Sequence, residues 1–323
     1  GEQLSYRKAF HNYISAGGNA NLDAESRSVL ETRVQKTATS AAGGYTVPTE
    51  LANFIEKAMI ATGPMYSSDL FTVLNTASGE GINIPTVDDT AVTAEAHTEG
   101  TAPTDDGGKD VTFGQKQLQA YAFNTEWVRW SHELNSDSIF NMESLLGELL
   151  GERLGRIANS KLTTGSGSSD VEGIVTTSAA GKTAASATAI TADEIIDLVH
   201  SVDPAYRSAP SARIMMNDST LAVIRKLKDG DGNYLWSMGS YQAGIPQTIL
   251  GYNVVVNQAM DSIATAKKTI LFGDMKKFYV RKVGAPTMFV AHERFAPDYG
   301  ILGYVRLDGV LTNTAAIKHL VQA

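Results

Sequence analysis

The run SIFNMESLLGELLGERLGRIANSKL, residues 138–162, limits what this chain can become more than any other stretch. Ile139, Met142, Leu145, Leu146, Leu149, Leu150, Leu154 and Ile157 recur three or four residues apart, the spacing that lines one face of an α-helix. Asp137 or Ser138 stands where a side chain can cap the first turn, and Lys161 sits near the last, where a cation meets the negative end of the helix dipole. The spacing predicts a helix of about 24 residues, roughly 36 Å long at 1.5 Å per residue. Gly147, Gly151 and Gly155 recur at every fourth position. In an apolar segment that stripe would suggest a membrane dimer face. Glu143, Glu148, Glu152, Arg153 and Arg156 exclude a membrane span, so the stripe predicts that another backbone packs closely on it. The helix is the spine on which the rest must be arranged.

A chain of 323 residues, 43% hydrophobic, can bury a substantial core as one large or two modest domains. Its 27 basic and 35 acidic residues leave a formal charge of −8, which disfavours a broad basic face for gripping nucleic acid. There is no cysteine, which excludes disulfides, thiolate metal sites and cysteine nucleophiles. No apolar run approaches the roughly 20 residues a membrane-spanning helix needs, and GEQLSYRKAF lacks a secretory apolar core, so neither spanning nor export is expected. Gly1 in place of an initiator Met is consistent with proteolytic processing or with trimming.

Residues 1–46 are polar and small, with short apolar patches around Leu22, Val29, Leu30 and Val34, and read as an extended arm. Pro48 then stands near a helix start, and Leu51, Phe54, Ile55, Ala58 and Met59 predict a short amphipathic helix. Between Thr76 and Gln119 the composition turns to Gly, Thr, Asp and Ala, framed by GINIPTV and by VTFGQKQLQAYAFNTEWVRW. Partial alternation of β-favouring residues in these frames predicts a long two-stranded excursion. Such ribbons are marginal alone in water, so this one is expected to lie on something else, most simply another subunit. Tyr121, Phe123, Trp127 and Trp130 at its base are assigned to the core. Past residue 165 short helices and strands alternate. TADEIIDLVHSV has Thr191 and Glu194 as a capping box, SARIMMN is a buried strand, DSTLAVIRKL a helix capped by Asp218 or Ser219, and DGDGNYLW a turn. QTILGYNVVVNQAM, KKTILFGDMKKFYVRKV and two later segments read as strands, and the chain is expected to finish in a short helical piece. The fold class is α+β.

Candidate chemistry is thin. TTGSGSSDVEGIV, residues 163–175, meets neither G-x-G-x-x-G nor the P-loop pattern, and Gly165, Gly167 and Gly173 follow a helix rather than a strand, so a turn or hinge is expected. DGDGN at 229–233 imitates the start of a calcium loop but has Tyr234 and Ser240 where Gly and Glu are required. His11, His97, His132, His200, His292 and His319 show no metal-binding spacing. Asp88-Asp89 and Asp105-Asp106 sit in loop-like sequence, and no G-x-S-x-G elbow occurs. No residue is therefore assigned a catalytic, cofactor-binding or metal-binding role, and no cofactor is expected.

In this order, SAAGGYTVPTELANFIEKA, the excursion AEAHTEGTAPTDDGGKDVTFGQKQLQAYAFNTEWVRWSHELNSDS, the helix ending KLTTGSGSSDVEGIV, the turn LKDGDGNYLW, LGYNVVVNQAM and FGDMKKFYV are similar to the major capsid proteins of tailed bacteriophages, the Hong Kong 97 fold. The similarity runs from about residue 4 to residue 321; six weak motifs in family order are jointly specific. It implies an N-terminal arm (1–46), a first part of the peripheral P-domain (47–76), an extended E-loop hairpin (77–120), the P-domain with its spine helix (121–165), an axial A-domain (166–277) and a last part of the P-domain (278–323). It implies a non-enzymatic structural protein of the virion that assembles with itself into hexamers and pentamers of an icosahedral shell around double-stranded DNA. The implied partners are a portal protein, a decoration protein and a maturation protease, with DNA a neighbour that is not read by sequence, and no membrane. LSYRKAFHNYI resembles sequence just after the cut such a protease makes.

One departure bears on chemistry. The family's type member welds its shell through an isopeptide bond between an E-loop lysine and a P-domain asparagine. Here EGTAPTDD has no lysine and DYGILGYVRL has glycine near 300, leaving Lys109 and Asn313 as the other conceivable pair, and no autocatalytic cross-link is expected. Two rival readings are an encapsulin-type compartment shell, marked by an unprocessed N-terminus and a cargo enzyme, and an unrecognised α/β enzyme, marked by a cofactor or a perturbed carboxylate in a deep cleft.

Overall fold

The computed structural model describes residues 63–87, 113–131, 142–235, 248–291 and 293–323, the strand at 44–46, residues 96–100, and single positions 8, 9, 12, 26, 57, 59, 94 and 102. Most of the expected arm, of the helix at 51–59 and of the far part of the excursion, and the proposed cap at Asp137 or Ser138, lie outside them. The long helix is described as Met142–Thr164, two residues beyond its expected end. Leu146, Leu150, Leu154, Ala158 and Leu162, each four residues from the last, are buried. Gly147, Gly151 and Gly155 beside them are buried as well. Leu149 departs from the expected apolar face and is 38% exposed, because it points away from this line.

The first sheet is built on one long hairpin, β12 (Phe278–Ala291) with β13 (Tyr299–Leu311). Outside β12 lie β1 (Gly44–Thr46), antiparallel, and β2 (Thr72–Thr76), parallel. Outside β13 lie β5 (Tyr121–Asn124) and β6 (Val128–Trp130), both antiparallel. The long helix rests on β13, which has dispensed with side chains at the contact points. A Cβ at Gly309 would come 2.8 Å from Leu162 and 2.7 Å from Phe278, and one at Gly303 would come 3.4 Å from Leu154. Below about 3 Å something must move, so these glycines set how close the helix comes. Of the four aromatics assigned to the core, Trp130 is buried and stacks on Tyr299, while Tyr121 and Phe123 pack partly buried against the core. Trp127 meets Phe295 edge-on at the end of the hairpin.

The second sheet runs β7 (Ala179–Thr183), β14 (Ile317–Val321), β11 (Lys268–Asp274), β8 (Ala212–Met216), β10 (Tyr252–Val256) and β9 (Thr248–Ile249). Its strands carry near-continuous apolar runs because both faces are covered. Ile214, Met216, Ile270, Phe272 and Leu320 face the helices Ala192–Ser201 and Asp218–Arg225, whereas Met215, Leu271 and Ile317 belong to the core that holds the long helix.

Three expectations change. Residues 317–321 form a strand, not a helical piece, since IKHLV is paired on both sides, antiparallel to β11 and parallel to β7. That strand lies inside the second sheet, so the sheets do not divide at 278–323 as the expected boundaries do. The helix Asp218–Arg225 is capped by Asn217, whose side chain accepts from the Ser219 N–H, not by Asp218 or Ser219. The capping box of Thr191 and Glu194 is present as read, each side chain accepting the other's backbone N–H.

A buried polar network fastens helix to second sheet. Asn159 Nδ2 donates to Asn257 Oδ1 at 2.8 Å, Asn257 Nδ2 donates to Thr163 Oγ1 at 2.9 Å, and Thr163 Oγ1 donates to the Asn159 carbonyl at 2.6 Å. Asn159 Oδ1 also accepts from the Met65 N–H at 3.3 Å. Satisfied networks of this kind fix one arrangement of the parts they join.

Candidate functional site

The excursion is a ribbon of its own. β3 (Ile82–Val87) pairs antiparallel with β4 (Phe113–Leu118), from Ile82 opposite Leu118 to Val87 opposite Phe113, and among the described residues no third strand joins them. Burial fades along it: Leu118 is fully buried at the root, and Phe113 is 74% exposed at the other end. One ion pair ties the shaft to its own body, Lys116 to Glu172 at 3.6 Å, on the surface where such a pair contributes about 0–1 kcal/mol.

The root is held very differently. Arg281, the fourth residue of β12, is completely buried. Its Nε donates to Thr76 Oγ1 at 3.1 Å and its Nη2 to the Ser78 carbonyl at 2.9 Å, both on the outgoing side of the ribbon. Its Nη1 donates to the carbonyls of Leu118 and Gln119, each at 3.0 Å, on the returning side. Asp308 stands opposite Arg281 in the register of β13. Its Oδ2 accepts from the Gln119 N–H at 2.6 Å and its Oδ1 from the Gly309 N–H at 2.8 Å. Burial, reinforced by Glu172, pushes the Asp308 carboxyl up to about 6, against the two N–H groups and Arg281 that favour its charge. Sequence reasoning missed both residues. The signal available was charge inside otherwise apolar runs, Arg281 and Lys282 in FYVRKV and Arg306 and Asp308 in GYVRLDGVL.

The glycine stretch after the long helix is a closed hairpin turn. Gly165 N–H donates to the Lys161 carbonyl, Gly167 N–H to Val171 and Gly173 N–H to Gly165, so the amides a phosphate would need are already used. Gly167 has φ 73°, and a Cβ at Gly165 or Gly173 would run into neighbouring backbone. Lys161 Nζ to Asp170 Oδ2 at 2.6 Å closes the loop.

The other singled-out residues do not converge. Asp229 spends its carboxylate on its own turn, accepting from the N–H groups of Asp231 and Asn233. Among the described residues no three His, Asp or Glu side chains are placed to hold a metal. His97 is exposed, and His200 Nδ1 meets Arg207 on the surface at 2.8 Å. His319 is buried, its Nδ1 2.8 Å from Ser178 Oγ, and burial together with Lys268 lowers its pKa to about 4. Asn313 is engaged internally, donating to the Tyr206 hydroxyl and accepting from the Ala315 N–H. Gly300 lies under the Phe295 ring, which a Cβ would approach to 2.6 Å. His11, His132, His292, Asp88, Asp89, Asp105, Asp106, Lys109 and Ser240 lie outside the described residues.

Comparison with known proteins gives a consistent answer. The solved capsid of the native GTA particle superposes with a TM-score of 0.67 at 20% identity, covering 94% of this chain and 99% of that one. The structure titled Mycobacterium phage Adephagia matches with a TM-score of 0.58 at 12% identity, covering 92% and 97%. That titled Gordonia phage Cozz gives 0.56 at 15% identity, covering 79% and 85%. No curated protein matches the sequence. At such identities the structural likeness establishes the fold, a mixed α+β architecture of the Hong Kong 97 type. The model of the phage capsid family matches residues 43–322, and the chain therefore belongs to the phage capsid family.

Proposed function

We propose that this chain is the major capsid protein of a tailed phage, a structural protein whose copies close into the icosahedral head shell. The observation that carries the reading is the contrast between a body whose strands β8, β11, β13 and β14 bury most of their residues and a ribbon that leaves it with Phe113 74% exposed. Two strands with no second layer are marginal in water, and a contact on the next copy supplies the missing layer. Small contacts repeated around closed rings then sum to a durable shell. In this reading the first sheet and long helix are the P-domain, the second sheet the A-domain, and the ribbon the E-loop. Double-stranded DNA lies inside the shell without being read by sequence, and portal, decoration protein and maturation protease are the further partners. The family match and the capsid structures it accords with do not favour the encapsulin-type alternative.

No catalytic residue is assigned, and the shell is proposed to hold without covalent bonds between subunits. Asn313 is committed to Tyr206, and Gly300 presents no side chain. Negative-stain microscopy of the purified protein is expected to show closed particles or capsomer rings, and a dispersed monomer would refute the reading. Denaturing electrophoresis of mature shells is expected to give one band, where a ladder would reveal cross-linking.

A further inference from the structure

Arg281 poses a physical question. A buried guanidinium is costly, and an apolar side chain of similar volume often stabilises such a site as well or better. Its side-chain hydrogen bonds go to the ribbon's two feet, two to the outgoing side at Thr76 and Ser78 and two to the returning side at Leu118 and Gln119. The guanidinium is a rigid plane whose donors point in fixed directions, so it ties the feet to each other as well as to the sheet. Asp308 adds a fifth point by accepting the Gln119 N–H. Gly79 lets the outgoing foot lie close to Arg306, since a Cβ there would come 2.7 Å from Nη1. Beyond this root the shaft has the Lys116–Glu172 surface pair, too weak to fix a direction.

We infer that Arg281 and Asp308 are positioning residues for assembly, gripping both feet of the ribbon and setting the angle at which it leaves the body. The consequence for shell geometry rests on the proposed contact of the ribbon with a neighbouring copy. Six-residue strands extend about 20 Å. A tilt of about 10° at the root moves the far end by about 3–4 Å, more than a hydrogen bond tolerates. A loosened root therefore spreads the angles between neighbours, and with them the curvature of the particles.

Asp308 provides a readout that general destabilisation would not move. The charged and titratable groups around it are Arg281 across the hairpin, Arg306 on its own strand, Glu172 from the turn with Lys116 of the ribbon paired to it, Asp170 in the same turn, and Tyr121 of β5. Opening the feet hydrates the carboxyl and returns it from about 6 towards 3.8. The closed root binds the proton more tightly, so opening becomes easier as pH rises from about 4 to about 6 and no longer changes above that.

The test is hydrogen exchange on subunits and on assembled particles between pH 4 and 7, corrected for intrinsic rates. Peptides covering 76–81 and 117–121 are compared with 300–311, and particle size is measured by electron microscopy. In the unaltered protein, protection at the feet falls by up to about tenfold per pH unit between about pH 4 and 6 and levels off above, and Asp308→Asn flattens that slope. Arg281→Met speeds exchange at both feet at least about tenfold, leaves 300–311 unchanged and yields particles of mixed size, with Arg281→Lys restoring part of the protection. Unchanged exchange at the feet in Arg281→Met overturns the inference. So do particles of one size despite loosened feet, a result that alone would also remove the ribbon's proposed contact. If Arg281→Met does not fold, the Asp308→Asn slope decides, and a slope like that of the unaltered protein overturns the clamp.

Discussion

In the second sheet, β11 buries six consecutive residues, Thr269–Asp274, whereas the ribbon's β4 buries only Leu118 at its root and exposes Phe113 at the other end. Both are short antiparallel partners with ordinary strand composition. The difference lies in what covers them: β11 has helices above and the shared core below, while the ribbon has a surface ion pair and a clamp at its feet. A region that completes its own burial is stable by itself. One that does not is shaped for something outside it.

The contrast can be attacked first from the body. Phe278 is fully buried, meets Phe71 edge-on at 5.7 Å and lies against Gly309 beneath the long helix. Phe278→Ala should cost about 3–5 kcal/mol in denaturant unfolding, and a loss below about 1 kcal/mol would mean the core is less closely packed than described. Next comes a pair of opposed pH slopes. His319, with its pKa lowered to about 4, contributes stability that is present above about 6.5 and lost as pH falls. Asp308, with its pKa raised to about 6, contributes stability that is present below 3.8 and lost as pH rises. Each swing is roughly 3 kcal/mol, and between about pH 4 and 6 the two nearly cancel. Thermal melts of His319→Gln should therefore lose stability with rising pH in that window, and melts of Asp308→Asn should gain it.

At the junction, Asn257→Ala strands partners on the long helix and should cost about 1–3 kcal/mol while leaving the ribbon's root intact. Equal loosening of the root in hydrogen exchange would show that body and ribbon are not independent. The smallest effect on subunit stability belongs to Phe113→Ser, within about 0.5 kcal/mol as for exposed sites generally. Light scattering should nevertheless show slower or weaker assembly, and unchanged assembly would leave that exposed ring without its proposed role.

Much of the body was legible because periodicity and capping are local. The spacing of Leu146, Leu150 and Leu154, the box of Thr191 and Glu194 and the turn at Asp229–Asn233 each follow from residues within a few positions of one another. The ribbon was legible from composition and from the strand-like sequence framing it. The last strand was misread because in AAIKHLVQA the apolar residues Ile317, Leu320 and Val321 also stand three and four apart, and the partners that make it a strand are β11 and β7, far back in the chain. The clamp was illegible for the same reason in stronger form. Arg281 meets Thr76 and Leu118 across 205 and 163 residues, and a single charged residue in a strand ordinarily faces water.

The position of β14 between β7 and β11 gives synthesis a direction. Until the ribosome has released residue 321, the second sheet has a gap where its second strand belongs, with unpaired edges on either side. A chain cut before residue 317 would therefore lack the strand that joins β7 to β11, and its second sheet would be left in two pieces.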